Sequence, residues 1–272
     1  MPLTDTHCHL EAEALAGDLA QVARHAVKQG VGRLVAVGVS PQAFAAQREA
    51  MDAVRAGGLP VLAAFGTHPW WAERVDPETA IEALDGLWSD ETGPEARERP
   101  MVAVGEVGLD FAVDIDADRQ NALFVAQLDW AGAHGLPLIL HERKSADRLL
   151  YWLRRHRHVG GVVHGFVGSV QQAEQFIEQG FFIGVGGAVT HPGAHRVRRM
   201  LRQLPLEALV LETDAPNQPG HAHRGERNLP GYLPENLDAL ARLRGVDADE
   251  LALVLEGNVR RLFGLTEECH GT

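Results

Sequence analysis

Cysteine is nearly absent from this sequence: only two of its 272 residues are cysteine, Cys8 and Cys269, and they stand close to opposite ends of the chain. A disulfide framework needs several cysteines at short spacings, and a zinc ribbon needs Cys-x-x-Cys pairs. The sequence has neither, so we expect both cysteines to be bystanders. A metal site in this chain would then be built from histidine and carboxylate side chains.

Long apolar runs and positive charge are also scarce. No run approaches the roughly 18 apolar residues that a membrane-spanning helix needs, and Asp5 stands where a signal peptide would carry positive charge. We therefore expect a cytoplasmic protein that contacts no membrane and has no obligate protein partner. Lys and Arg number 25 against 37 Asp and Glu, a net charge of −12. That balance argues against an extended nucleic-acid footprint, but it allows a small metal-lined pocket that holds one phosphate.

Short apolar segments alternate with stretches of helical period along the chain. Apolar strands joined by helical crossovers predict a parallel sheet, and eight such units predict one (β/α)8 TIM barrel domain over 1–272. A doubly wound open sheet is the alternative, but no Gly-x-Gly-x-x-Gly follows the first strand. Segments 89–100 and 214–234 are predicted to be surface connections. The predicted strands cover 2–7, 33–39, 61–66, 101–107, 136–141, 161–165, 181–187 and 208–214.

The first predicted strand carries an unusual density of polar groups, because the segment TDTHCHL (4–10) contains an aspartate and two histidines within five residues. Alternate residues of a strand point to one face, so Asp5, His7 and His9 would project together as chelating groups. A solvated polar N-terminus is the alternative. Barrel enzymes carry their active sites at the C-terminal ends of the strands. Five of the other predicted strands end near a histidine or an acid: His68, Glu106, His141, His164 and Asp214.

Imidazole and carboxylate groups in this arrangement indicate a catalytic metal site. Such donors suit Zn²⁺, Mn²⁺, Fe²⁺ or Ni²⁺, and Mg²⁺ is a further candidate. Ligands drawn from several strands leave an open position for water, whereas structural zinc sites are closed by four protein ligands. Four histidines and two acids are enough for two divalent ions if one carboxylate bridges them. Glu106 is the natural bridge, because Val102 and Val104 on the same face of its strand are core-like.

At this point the sequence resembles the TatD family of metal-dependent hydrolases, which belongs to the amidohydrolase-like barrels. Eight motifs carry the resemblance in order from residue 4 to residue 265: DTHCHL, GTHPWW, VGEVGLD, LILHER, VVHGF, GVGGAVT, LETDAP and NVRRLFGL. The resemblance implies a (β/α)8 barrel with a two-metal site, and the family includes DNases that act on DNA ends. It also implies the ligand sets, with His7, His9, Glu106 and Asp214 on one ion and Glu106, His141 and His164 on the other.

Two features of these motifs matter, the first of which indicates a less characterised branch of that family, and several further residues have weaker claims on function. Gly165 stands where many DNase members have cysteine, and Arg143 follows the fifth strand, where a phosphate or a nearby acid would be its partner. Trp70 and Trp71 would stack a base or cap the rim. Asp110 would support a ligand or the loop, and Asp5 has the same alternative to a place among the chelating groups. The substrate-binding candidates are His68, Arg143, Arg224 and Arg227, the last two as a phosphate clamp or a solvated charge run.

Metal-assisted hydrolysis is the leading mechanism. Metal coordination lowers the pKa of a bound water toward ~7, Asp214 orients that water or accepts its proton, and Glu106 holds the ions. A DNA phosphodiester at a strand end is the first substrate hypothesis, from the resemblance. A small amide, lactone or aminoacyl ester is the second. A non-catalytic metal-binding barrel that recognises a small ligand or a protein is the third.

Overall fold

The computed structural model describes residues 2–92 and 101–265, and strands alternate with helices through both ranges. The strands are β1 (Leu3–Cys8), β2 (Val31–Val37), β3 (Val61–Phe65), β4 (Met101–Asp110), β5 (Leu138–Arg143), β6 (Gly161–Val163), β7 (Phe181–Val185) and β8 (Leu209–Leu211). The helices are α1 (Glu13–Ala16), α2 (Leu19–Lys28), α3 (Phe44–Ala56), α4 (Pro77–Thr92), α5 (Ala117–His134), α6 (Ala146–Leu153), α7 (Val170–Glu178), α8 (His195–Gln203), α9 (Leu233–Arg244) and α10 (Ala248–Phe263).

The eight strands form one parallel sheet in sequence order, which closes into a barrel. Each strand pairs with the next along the chain from β1 to β8. Residues after β8 return to β1: the Asp214 N–H donates to the His7 carbonyl at 2.9 Å, and the His9 N–H donates to the Ala215 carbonyl at 2.8 Å. The predicted (β/α)8 barrel is therefore confirmed, and the open doubly wound sheet is excluded.

Strand alternation divides the apolar side chains between two layers. Leu138 and Leu140 of β5 belong to the larger cluster, which the helices share, whereas Ile139 between them joins a smaller cluster. The same separation holds for Leu209, Val210 and Leu211 of β8. Side chains of α10 complete the smaller cluster. Both faces of each strand are thus buried, as the continuous apolar segments of the sequence predict for parallel strands.

The predicted strands agree with the observed ones except at their ends. β4 runs to Asp110 instead of 107, and β5 runs to Arg143, because the two extensions pair with each other over residues 108–110 and 141–143. Segment 214–234 contains short 3-10 turns at His221–His223 and Pro230–Tyr232 before α9 begins. Most of segment 89–100, like Cys269, lies outside the described residues. Cys8 is buried and unpaired. None of the helices in the described ranges is long and apolar enough to cross a membrane.

Candidate metal centre

Seven predicted site residues meet at the C-terminal end of the barrel. They come from six of the eight strands, since β2 and β7 contribute none of the seven. Six of them are buried and His141 is partly buried. Burial of this many ionisable groups is costly unless they are paired or hold metal ions. The seven residues are His7, His9, His68, Glu106, His141, His164 and Asp214.

A β-bulge brings Glu106 into this cluster. Gly105 pairs with Ile139 and Val107 pairs with Leu140, so Glu106 is an extra residue without a partner on β5. Bulges of this kind redirect a side chain next to active sites. Two residues later, Gly108 has a φ of +144°, and a Cβ at this position would lie 2.1 Å from the His141 carbonyl oxygen. The glycines of VGEVGLD therefore let β4 approach β5 closely while Glu106 turns inward.

One group of donor atoms surrounds Oε2 of Glu106. His7 Nε2 and His9 Nε2 each lie 3.4 Å from this oxygen and 3.1 Å from each other. Asp214 Oδ1 is 3.3 Å from His9 Nε2 and 3.6 Å from His7 Nε2. On the far side of its ring, His9 Nδ1 lies 3.1 Å from the Val37 carbonyl oxygen, a contact that fixes the ring orientation. Two imidazoles and two carboxylates thus converge on one point.

A second group surrounds the other oxygen of Glu106. His141 Nδ1 and His164 Nε2 lie 2.7 Å and 2.8 Å from Oε1, and His68 Nε2 lies 3.4 Å away. His7 and His164 stack at a centroid separation of 3.9 Å, so the two groups adjoin. His68 was predicted from sequence to contact substrate. The structure brings it into the cluster, within 4.8 Å of donor atoms of Glu106 and His141.

The electrostatics of the cluster make its carboxylates ready ligands. Burial works to raise the pKa of Glu106, but the neighbouring histidines, His164 foremost, hold it well below its usual value. Burial also works to raise the pKa of Asp214, yet the contact of this carboxylate with His9 lowers its pKa to about 2. Burial lowers the pKa of His7 to about 4. The Glu106 charge overcomes burial at His164 and raises its pKa to about 10. A divalent ion entering here would displace protons from such histidines.

The donor set fits a divalent metal ion. Three groups of three residues have ligand atoms within 4.8 Å of one another: His7, His9 and Asp214; His7, Glu106 and His164; and His68, Glu106 and His141. Within the described residues, the buried Oδ1 atom of Asp214 accepts no hydrogen bond. It therefore remains available as a ligand atom. Imidazole nitrogen with carboxylate oxygen is the set that Zn²⁺, Mn²⁺, Fe²⁺ and Ni²⁺ share.

Neighbouring side chains hold the ligands in place, and the sequence indicated only some of them. Asp110 Oδ2 lies 3.3 Å from His141 Nε2 and also accepts the indole N–H of Trp70 at 2.8 Å. Asp5 is fully buried and accepts the backbone N–H groups of Thr213 and His7, so it supports the candidate ligands from behind instead of joining them. Of the two places that the sequence left open for Asp5, the structure gives it the supporting one.

Two supporting residues were missed from the sequence. Gln218 donates from Nε2 to Asp214 Oδ2 at 2.7 Å. Glu212 is buried and accepts the Gly165 N–H at 2.6 Å. A Cβ at residue 184 would lie 2.1 Å from Glu212 Oε2, so only glycine leaves room for this carboxylate. The acid two positions before Asp214 in LETDAP was the available signal for Glu212.

The three predicted basic substrate residues lie outside the cluster. Arg143 is exposed and its Nη1 is 3.7 Å from Asp110 Oδ2, so it reaches the rim of the site. Arg227 forms an ion pair with Asp18 and donates to the Ala14 carbonyl, so it is tied to α1 and to the loop that follows α1. Arg224 is exposed. The structure therefore does not bring Arg224 and Arg227 together with the metal ligands.

Comparison with known proteins identifies the family of the chain. The family model described as TatD related DNase matches residues 4–264. The chain is 38% identical over 263 residues to the uncharacterized metal-dependent hydrolase YjjV of Escherichia coli K12, covering 96% of this chain and 97% of YjjV. It is 37% identical over 210 residues to the 3'-5' ssDNA/RNA exonuclease TatD of Klebsiella pneumoniae, covering 74% and 76% of the two chains. The crystal structure of YjjV superimposes with a TM-score of 0.86 at 36% identity, covering 97% of this chain and 98% of that one. The chain therefore belongs to the TatD family of metal-dependent hydrolases.

Proposed function

We propose that this hydrolase is a two-metal phosphodiesterase that removes nucleotides from an end of single-stranded DNA. The observation that carries the proposal is the position of Glu106, whose two carboxylate oxygens face two different sets of histidines. A carboxylate in this position can bridge two ions a few ångströms apart, which is the arrangement used to cleave phosphodiesters. The exonuclease named among the relatives supports nucleic acid as the substrate class.

Six residues would hold the two ions. His7, His9 and Asp214 with Oε2 of Glu106 form the first set, and His141 and His164 with Oε1 of Glu106 form the second. When bound, the ions would polarise the scissile phosphoryl group and lower the pKa of the attacking water. Asp214 is the group best placed to accept the proton of that water: Gln218 holds its Oδ2, and its Oδ1 faces the cluster.

His68 has the protonation state that a leaving-group contact needs. Burial lowers the pKa of His68, so the ring is neutral at pH 7. Its Nδ1 accepts the Trp70 backbone N–H at 3.2 Å, which leaves the ring proton on Nε2. Nε2 points toward the cluster, 3.4 Å from Glu106 Oε1. The His68 N–H would therefore donate to the oxygen that departs from the phosphorus.

Trp70 is the aromatic platform that we assign to the terminal base. Its side chain lies at the rim, 53% exposed, and its ring meets His68 edge-on at 4.9 Å. The hydrogen bond from its indole N–H to Asp110 fixes the orientation of the ring. Trp71 instead packs with Ala72, Val75 and their neighbours, so it caps the rim. Stacking of one base on an aromatic ring contributes about 1–3 kcal/mol and tolerates any base.

The test is hydrolysis of defined nucleic acids by the metal-loaded protein. Single-stranded oligonucleotides labelled at one end should shorten stepwise, whereas covalently closed circular DNA should remain intact because it offers no end. A metal chelator should stop the reaction. The Trp70→Ala variant should raise KM by about 5- to 150-fold if one stacked base is lost, and Trp70→Phe should retain most of the affinity.

Two results would contradict the proposal. Efficient cutting of closed circles would remove the end requirement and with it the assigned role of Trp70. Hydrolysis of a lactone, an amide or an aminoacyl ester, without any reaction on nucleic acid, would move the activity to another ester or amide class while leaving the metal ligands as assigned.

A further inference from the structure

A cleft of about 630 Å³ opens at the same end of the barrel, between the end of β5, the start of α6 and the loop after β6. Its walls include Lys144, Arg148, Tyr151, Val167, Arg196 and Phe111. Lys144 follows His141 by three residues and Val167 follows His164 by three. Three residues span at most about 11 Å, so the cleft adjoins the metal centre. Its size is that of a small-molecule site.

The charge of the cleft is opposite to that of the protein. Three cations and two carboxylates line it, a local charge of +1 in a chain whose net charge is −12. Both carboxylates accept hydrogen bonds from uncharged donors. Glu142 accepts the backbone N–H groups of Ser145 and Ala146 at 2.8 Å and 2.9 Å, and Asp147 accepts the Gln172 amide at 3.2 Å. Through the described part of the chain, neither acid forms an ion pair with a cation of the cleft.

The backbone presents two of these cations in defined positions. Lys144 has a φ of +56°, a conformation that costs roughly 1–2 kcal/mol for a residue with a Cβ. Lys144 lies between the end of β5 and the start of α6, and it lines the cleft. Arg196, on the first turn of α8, donates from Nε to the Gly168 carbonyl at 3.2 Å. This bond leaves both terminal nitrogens of its guanidinium group for another acceptor. Strained residues cluster at ligand sites.

Apolar side chains form the remainder of the wall. Val167 is 50% exposed and Tyr151 is 38% exposed, both unusually high for large apolar groups next to a cleft. The Arg155 guanidinium lies 3.6 Å from the Tyr151 ring centroid, which fixes the ring. Cations beside an exposed aromatic and aliphatic surface match a nucleotide, whose phosphate is anionic and whose base is flat and apolar on its faces.

We infer that this cleft is a subsite for the nucleotide adjoining the one removed, with Lys144, Arg148 and Arg196 binding its phosphate. The inference rests on the proposed function for its substrate class, and it adds a second point of contact away from the metal ions. It makes a single-stranded oligonucleotide a better ligand than a dinucleotide. It also explains how an acidic protein could bind a polyanion through a short segment only.

The test compares binding of a fluorescent ten-residue single-stranded oligonucleotide with phosphorothioate linkages, which slow hydrolysis, to metal-loaded proteins by fluorescence anisotropy. The double variant Arg148→Gln, Arg196→Gln should weaken binding about tenfold or more. Because both arginines are assigned to one phosphate, the slope of log Kd against log salt should also fall by up to about 0.7, the value for one neutralised phosphate on a single strand. Arg199→Gln, on the same helix as Arg196 but outside the cleft, is the matched control and should bind as the parent does.

A second ligand isolates the contribution of phosphate charge. An oligonucleotide with uncharged methylphosphonate linkages should bind the parent and the double variant equally. Equal Kd and equal salt slopes for the charged oligonucleotide in both proteins would overturn the inference, provided that their thermal melts coincide. The proposed function has its own test: it is refuted if the parent protein hydrolyses no nucleic acid. The binding comparison does not depend on turnover, so a variant that binds weakly would still place the phosphate in the cleft.

Discussion

Replacing Glu106, the proposed bridging carboxylate, gives the sharpest test of the candidate centre. The Glu106→Gln variant keeps the size of the side chain and one carbonyl oxygen but removes its charge. Oε2 is 3.4 Å from His7 and His9, and Oε1 is 2.7 Å and 2.8 Å from His141 and His164. Because one side chain serves both groups, we expect both ions to bind more weakly together.

The size of the effect follows from these contacts. Loss of a residue that only supports a metal ligand costs about 10- to 100-fold in affinity. A direct ligand should cost at least the upper figure for each ion, about 2.7 kcal/mol at 1.36 kcal/mol per tenfold change. In the metal-free protein the same change leaves buried histidines without their counter-charge. The pKa of His164, which Glu106 raises to about 10, should then fall.

Elemental analysis after reconstitution and gel filtration measures the outcome, with competition against a chelator to give affinities. The control is Glu178→Gln, an exposed glutamate at the end of α7. Loss of one equivalent with the other bound at full affinity would show that Glu106 is a terminal ligand. A folded variant with unchanged metal content would remove Glu106 from the centre altogether.

Three further predictions follow from the structure. Asp214→Asn should lower kcat by about 10²–10⁴-fold, the scale of a lost general base, a far larger fall than that of the metal occupancy measured in parallel; normal turnover would reject Asp214 as the base. The double variant His7→Ala, His9→Ala should lose most of one metal equivalent yet remain folded by circular dichroism, and unchanged metal in a folded protein would refute their assignment. Burial raises the pKa of Glu256, so its contribution to stability is complete below its ordinary pKa of 4.5 and is lost as pH rises through the raised value. Glu256→Gln should therefore flatten the decline of the unfolding free energy above that pH, measured by chemical denaturation, and an unaltered pH profile would contradict it.

The sequence was sufficient to predict the barrel because the pattern of an apolar strand followed by a helix repeats along the chain. Each strand is a short apolar segment, and adjacent residues such as Leu138 and Ile139, which point to opposite faces, are both buried, as in a parallel sheet covered by helices. The strand ends were less predictable. β5 continues through His141 to Arg143 because Gly108 lets β4 run beside it, and this pairing joins residues more than thirty positions apart. No local pattern reports such a partner.

The candidate site likewise contains some residues that the sequence predicts and others that it does not. Strand-end histidines and acids are visible in the sequence, and the structure brings all seven together. Charged loop residues are not predictable from type alone: Arg227 has the chemistry of a phosphate clamp but forms its ion pair with Asp18, 209 positions earlier in the chain. Gln218 likewise supports Asp214 only because the loop after β8 folds back. Supporting residues depend on tertiary contacts, whereas the ligands depend on strand register.

Closure of the barrel between β1 and β8 also determines when the centre can form during protein synthesis. His7 and Asp214 are joined by a backbone hydrogen bond of 2.9 Å, yet roughly 200 residues separate them in the chain. Ribosomes add about 5–20 residues per second, so about 10–40 seconds pass between the two residues. Throughout that interval the growing chain carries histidines without their closing carboxylate. The proposed set of ligands is therefore complete only after the last strand has been made, and a chain released early lacks Asp214.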